Sequence, residues 1–240
     1  SRYFFGFLRR SLVATWLEHA ESRAWMLLAL ACVGSRLATT ITYIEDPDSL
    51  RFALSVADAY DIASFQPHFP GYPVFWAVVK PLYVLTGSFS TSFALVGGLA
   101  TVGIVAAVLH LWGKRLRSVS GVALAAAVLF NPLLWLMANR YMPDLLGTAC
   151  AVGVLAVLLR ASSRDGAVDE NAARLGVVGA GLLAGLRLSY VPLVVLPVLW
   201  VLARSKRPVR LLGAGMASVL VWLVPMVLDT GAATLVDVAW

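Results

Sequence analysis

Residues 73–86 read Pro73-Val-Phe-Trp-Ala-Val-Val-Lys80-Pro81-Leu-Tyr-Val-Leu-Thr86, and whether this stretch crosses a membrane decides which way every later segment faces. It is apolar but only about 14 residues long, against the roughly 20 that a helix needs to cross a hydrocarbon core. Lys80 and Pro81 interrupt it, and the turn-forming pair Pro70-Gly71 precedes it. That length and those breaks suit an interfacial or re-entrant helix in a loop better than a span.

The chain around it leaves little choice of solvent. Of 240 residues, 60% are hydrophobic and 13% charged, a balance that one water-soluble core could not hide. Several charge-free stretches have spanning length, and in lipid they must be helices, because isolated strands would leave backbone groups without partners. The net charge of +6 does not point to nucleic acid, since Lys and Arg sit in short clusters between apolar runs instead of forming one basic face. Cys32 and Cys150 lie inside apolar runs and read as packing residues, with no disulfide framework or Cys-based metal site. Residues 1–23 scatter Arg2, Arg9, Arg10, Glu18, Glu21 and Arg23 through Phe4, Phe5, Phe7, Leu8, Leu12 and Trp16, a pattern unlike a cleavable signal. They are expected to form an amphipathic arm on the cytoplasmic membrane surface.

Charge then arbitrates the topology of residues 24–240. With 73–86 left uncrossed, spans fall at 25–43, 89–112, 119–138, 145–159, 175–186, 191–203 and 211–228. The expected fold is an all-α, polytopic membrane protein with about seven crossings and an interfacial helix in the first outer loop, 44–88. Arg2, Arg9, Arg10, Arg23, Lys114, Arg115, Arg117, Arg160, Arg164, Arg174, Arg204, Lys206, Arg207 and Arg210 then share the cytoplasmic side with the amino terminus. Glu45, Asp46, Asp48, Asp58, Asp61, Asp144, Asp229 and Asp237 face outward. Making 73–86 cross would invert everything after it and strand most of the basic residues outside. The hairpin that turns at Gly185-Leu186-Arg187-Leu188-Ser189-Tyr190 has arms barely long enough to span, so it is expected to line a cavity near the outer interface. The polar stretch 162–173 reads as a plain loop, and no internal repeat is visible. His19 and His110 fall at the cytoplasmic interface and carry no functional weight.

The segment richest in chemistry is 43–72. Glu45, Asp46 and Asp48 follow the first span directly, and His68 sits about twenty residues later in the turn Gln66-Pro67-His68-Phe69-Pro70-Gly71-Tyr72. In this segment Asp48-Ser49-Leu50-Arg51-Phe52-Ala53 resembles the Asp-Glu-x-Arg-Tyr-Ala motif of the GT-C superfamily of membrane glycosyltransferases, particularly protein O-mannosyltransferases and the aminoarabinose transferases of lipid A. Ser49 stands where that family has its second acid. His68-Phe69-Pro70-Gly71-Tyr72 is similar to the family's His-Pro-Pro turn before a surface helix, and Asn139-Arg140-Tyr141-Met142-Pro143-Asp144 to its second outer motif. The likeness extends over nearly the whole chain, and seven crossings match the family's shared amino-terminal module.

The resemblance implies an inverting transfer of a sugar from a polyprenyl phosphate to an acceptor at the outer face of a bacterial inner (plasma) membrane. Such a reaction needs a base for the acceptor hydroxyl and stabilisation of the departing phosphate. Asp48 aligns with the motif acid and is the expected base, with Asp46 as substitute. Arg36, Arg51, Lys80, Arg140 and Arg187 are the available cations. Arg36 and Arg187 weigh most, because a charge inside a span is costly and needs a partner or a cavity. His68 either contacts the sugar or orients its loop, Tyr72 is a further substrate-binding candidate, and Asp144 either binds the acceptor or pairs with Arg140. No metal is assigned: Asp46, Asp48 and His68 leave room for a divalent cation without requiring one. The expected partners are the lipid-linked sugar and bilayer lipids, with no nucleic acid. The competing expectation is a non-catalytic subunit of the same fold, assembled with other membrane proteins.

Overall fold

The computed structural model describes residues 2–162 and 167–239, with side chains from residue 20 onward. Arg164 lies outside the described residues. The side chains of Arg2, Arg9, Arg10 and His19, and the apolar face of the arm, lie outside the described side chains.

Among the described residues the chain is helical throughout, its only bridges being the isolated pairs Asp61–Gln66 and Ser162–Val168. The helices are α1 (Arg2–Ala38), α2 (Pro47–Ala57), α3 (Pro73–Thr86), α4 (Phe89–Trp112), α5 (Val119–Leu129), α6 (Pro132–Asn139), α7 (Asp144–Ala161), α8 (Glu170–Leu186), α9 (Pro192–Arg204), α10 (Pro208–Thr230) and α11 (Ala232–Asp237). A 3-10 turn, Leu188–Tyr190, joins α8 to α9. The starts follow local chemistry. Side chains of Asp46, Ser88, Ser118, Asn131 and Asp169 cap α2, α4, α5, α6 and α8 by accepting from backbone N–H groups that have no partner within the helix. Pro opens α2, α3, α6, α9 and α10, where its missing N–H costs nothing.

Among the described residues three helices, α4, α7 and α10, are long and apolar enough to cross a membrane, and a fourth crossing results if α5 and α6 together form one span. That is fewer than the seven expected, and the shortfall has identifiable causes. The apolar part of α1 lies between Arg23 and Arg36, and its helix stops at Ala38 instead of running on to residue 43. α8 is 17 residues long and begins Glu170-Asn-Ala-Ala-Arg174; α9 has 13 residues with Pro197 inside. Segment 119–138, expected as one span, bends by 54° at Phe130-Asn131-Pro132. Asn131 caps the second piece through Leu134 N at 3.1 Å, and Pro132 has no N–H to continue the first.

α4 is the central post, packed against α1, α3, α6 and α7, and α7 in turn packs on α8, and α8 on α10. About 67% of its apolar window is buried, whereas for α10 the figure is 17%. Val209, Val221 and Leu228 on α10 are exposed, as are Leu193, Leu196 and Leu199 on α9. Each such side chain left in water would forgo about 1.5–3 kcal/mol of burial, so this surface is one that lipid solvates.

The two ends of the bundle differ in charge. At one end Arg160 donates to the His110 carbonyl, Glu21 accepts from Leu116 N–H, and Glu170 accepts from Ser205 and from Lys206 N–H, which places the Lys/Arg-rich connections 113–118 and 205–207 with the end of α7 and the start of α8 in one rim. At the other end, roughly 36 Å away along the 24-residue α4, the acidic loop 39–46, the turn 58–72 and the starts of α7 and α9 come together.

Candidate functional site

Helix α2 sets the site. Asp46 accepts from Ser49 N at 2.8 Å and Pro47 fixes the first turn, so the following residues are placed by helical periodicity. Phe52, Ala53 and Val56 face the core while Asp48 and Arg51 face out, joined at 3.0 Å. An exposed pair three residues apart contributes only a few tenths of a kcal/mol, so it orients both side chains more than it stabilises. The ring of Phe52 meets His68, Tyr72 and Phe75 edge-on at 5.6, 5.1 and 5.6 Å between centroids, and this stacks the Pro-rich turn over α2.

Polar contacts continue from that wall. His68 Nδ1 lies 3.7 Å from Asp48 Oδ1, and His68 Nε2 is 3.2 Å from the Tyr72 hydroxyl. Arg187 Nη1 donates to the same hydroxyl at 3.4 Å, and its Nη2 pairs with Asp144 Oδ1 at 2.8 Å. Arg51, Asp48, His68, Tyr72, Arg187 and Asp144 thus form one continuous line across α2, the 58–72 turn, the α8–α9 junction and the start of α7. Gly147 makes the last step feasible: a Cβ there would lie 2.9 Å from Arg187 Cβ. Two polar atoms in this line are buried without a hydrogen-bond partner, His68 Nδ1 and Arg187 Nε.

A second cluster adjoins it. Arg140 pairs with Glu45 at 2.9 Å and with Asp46. Burial alone would raise the Asp46 carboxyl, but the hydrogen bond from Ser49 and the Arg140 guanidinium outweigh it and hold the group below the usual carboxylate range. Asp46 is therefore occupied as a helix cap and as an ion-pair partner, whereas the Asp48 side chain remains 46% exposed. Burial pushes His68 down, with Arg51 and Arg187 adding to it against Asp48, so the imidazole is neutral at pH 7. Burial also raises the Tyr72 hydroxyl, which stays a protonated donor.

The structure brings together Asp48, Arg51, His68, Tyr72, Asp144 and Arg187, with Asp46 and Arg140 alongside. It leaves two candidates elsewhere. Arg36, fully buried, donates from Nη2 to the Leu129 carbonyl at 3.1 Å and lies 3.9 Å over the Trp135 ring, where it closes the broken α5 end. Lys80 donates to the Val56 carbonyl at 2.6 Å, so it terminates α2. Neither reaches the cluster. Asp144 pairs with Arg187 and not with Arg140, because α7 begins at Asp144 and turns that side chain toward the α8–α9 junction. Ser49 is buried with its hydroxyl unpartnered, so the position of the resembling motif's second acid faces the core in this chain. Glu45, which now holds Arg140, was not among the expected site residues; its place next to Asp46 was the signal.

No protein-family model, curated protein or solved structure matches the chain. The chemistry must therefore be read from these side chains. Among the described residues no group of three or more His, Cys, Asp or Glu is arranged to hold a metal ion. Beside the cluster, the immediate neighbours of His68 and Arg187, Phe69 and Leu188, line a hollow of about 380 Å³ whose other walls are apolar, among them Trp222 and Met226. A carboxylate, a neutral imidazole and a guanidinium beside an apolar recess suit a ligand with a polar head and a hydrocarbon tail.

Proposed function

We propose that this protein is a membrane glycosyltransferase that moves a sugar from a polyprenyl phosphate to an acceptor hydroxyl, with inversion, at the acidic end of a bundle of about seven crossings. The basic rim faces the cytoplasm in this reading, and α3 lies at the outer interface beneath the acidic loop. The observation that carries it is the convergence of Asp48, His68 and Arg187 from three separate segments beside an apolar recess. Asp48, the least committed carboxylate of the group, takes the proton of the acceptor hydroxyl as the new bond forms at the anomeric carbon and the bond to phosphate oxygen breaks. Arg187, with its free Nε, and Arg51 meet the charge that develops on the leaving phosphate, and His68 and Tyr72 hydrogen-bond the sugar.

The test is transfer by the purified full-length chain from a panel of labelled polyprenyl-phosphate sugars. Asp48→Asn is expected to lower transfer by about 10²–10⁴-fold with an unchanged melting temperature. A folded, fully active Asp48→Asn protein overturns Asp48 as base.

One observation favours the alternative of a non-catalytic subunit: Arg51, Arg140 and Arg187 each already pair with a carboxylate of the same chain. Stoichiometric co-purification with other membrane proteins, together with no transfer from any donor, decides for it.

A further inference from the structure

The largest hollow among those described lies away from the Asp48 line. It has a volume of about 770 Å³ and runs between α3, α8 and α10. Trp76, Val78 and Leu182 form one side, and Val221, Trp222, Pro225 and Met226 the other. On α10 the lining positions 221, 222, 225, 226 and 229 fall on one helical face, so the groove follows that helix for about 12 Å. It is apolar along its length and polar only at its outer end, where Tyr60 and Asp229 stand.

Neither side chain has a hydrogen-bond partner among the described residues. The Tyr60 hydroxyl is buried with no hydrogen-bond partner. It is held against the turn by Gly71, at φ 88, where a Cβ would come within 2.7 Å of that oxygen. Burial, then the nearby Asp229 charge, push the hydroxyl up, so it remains a donor. Asp229 is exposed, and among the described residues its carboxylate has no ion pair or hydrogen bond. A donor and an anion at the mouth of a hydrocarbon-lined groove call for a head group with the opposite pair, an acceptor and a cation.

We propose that this groove binds one chain of a bilayer phospholipid with an ammonium-bearing, zwitterionic head, the phosphodiester accepting from Tyr60 and the ammonium pairing with Asp229. An anionic lipid fits poorly, because its net charge would face the Asp229 carboxylate with no cation to offset it. None of its residues belongs to the Asp48–Arg187 line, though Trp222 and Met226 also wall the recess beside that line, and the head-group contacts at Tyr60 and Asp229 do not depend on the glycosyltransferase reading.

The experiment is native mass spectrometry of the full chain loaded with equimolar phosphatidylethanolamine and phosphatidylglycerol of identical acyl chains. The ethanolamine lipid is expected to be retained over the glycerol lipid by about fivefold, as one partly exposed charge pair allows. Asp229→Asn should bring the ratio close to one, and Val78→Trp, which fills the groove from an exposed position, should remove the preferential adduct. Equal or greater retention of phosphatidylglycerol by the unaltered chain overturns the proposal, as does an Asp229→Asn chain that keeps the preference. So does a Val78→Cys chain that cross-links to a second copy in a bilayer, which would make the groove a protein interface.

Discussion

Two arginines interrupt the apolar bundle, and they are used differently. Arg36 is fully buried against a backbone carbonyl and an indole face, at the point where α5 stops and α6 begins. Arg187 is partly exposed and bridges a carboxylate and a phenol from two other segments. The partners are what separate them. The carbonyl of Leu129 is left open by Asn131-Pro132, and Arg36 answers it with Nη2 while its Nη1 donates to Ser35, both away from the Asp48 line. Both arginines keep an unpartnered, buried Nε, but only Arg187 stands in line with Asp48 and His68, with its terminal nitrogens on Asp144 and Tyr72. An arginine in a span therefore reports a local need, and the identity of that need is read from the atoms it touches.

That contrast is open to mutation. Arg187→Gln should cost the most where it matters for chemistry: under the proposed function, transfer falls by about 10²–10³-fold, and the fold loses stability as well, because Asp144 keeps its charge without a partner. Arg36→Gln should do the reverse in kind, lowering stability by about 1–3 kcal/mol through the unpaired Leu129 carbonyl while leaving transfer unchanged. Thermal melts in detergent beside a transfer assay check both, and a loss of transfer in folded Arg36→Gln erases the distinction. Gly147→Val is the subtler probe. Its Cβ displaces the root of Arg187, which should cost about 1–3 kcal/mol and reduce transfer without removing any polar group.

The smallest effect concerns pH. His68 has its folded-state value below its ordinary 6.5, so the neutral ring is favoured by the fold. Its contribution to stability is then complete above pH 6.5 and is lost as pH falls from there through the folded-state value, because the unfolded chain binds the proton first. Melting temperatures of the unaltered chain should fall across that window, and His68→Asn should flatten the slope. An identical slope in both proteins contradicts the neutral, buried placement of the ring.

Much of the helical frame was legible in the sequence. The bounds of α3 and α4 agree with the apolar runs at 73–86 and 89–112, because Pro73 and Ser88 start the helices and Gly87 and Gly113 end them. α7 and α10 overshoot their runs by only a few residues, since helices extend past the apolar stretch into capping residues. The break at Asn131-Pro132 was less legible, because the apolar run continues through it and hydropathy does not register a missing N–H. α2 was hidden for the converse reason: its polar sequence looks like a loop, and only the Asp46-Pro47 start marks a helix. Within the site, Asp48, His68 and Tyr72 could be grouped from the sequence because one segment holds them. Which arginine joins them could not, since Arg36 and Arg187 are alike in hydropathy and differ only in what folds beside them. The Tyr60–Asp229 mouth depends on contact between α10 and the turn before α3, about 170 residues apart, and no local pattern announces it.

The account depends above all on the acidic end of the bundle lying outside the membrane and the basic rim inside. The direct measurement is labelling of single cysteines in intact cells with a membrane-impermeant maleimide, with Cys32 and Cys150 replaced by Ala. Ser64→Cys, in the exposed turn beside Asp61, is predicted to react at once, and Lys114→Cys, in the basic rim, only after the membrane is opened. Labelling of Lys114→Cys in sealed cells while Ser64→Cys stays protected would put Asp48, His68 and Arg187 in the cytoplasm and contradict the account.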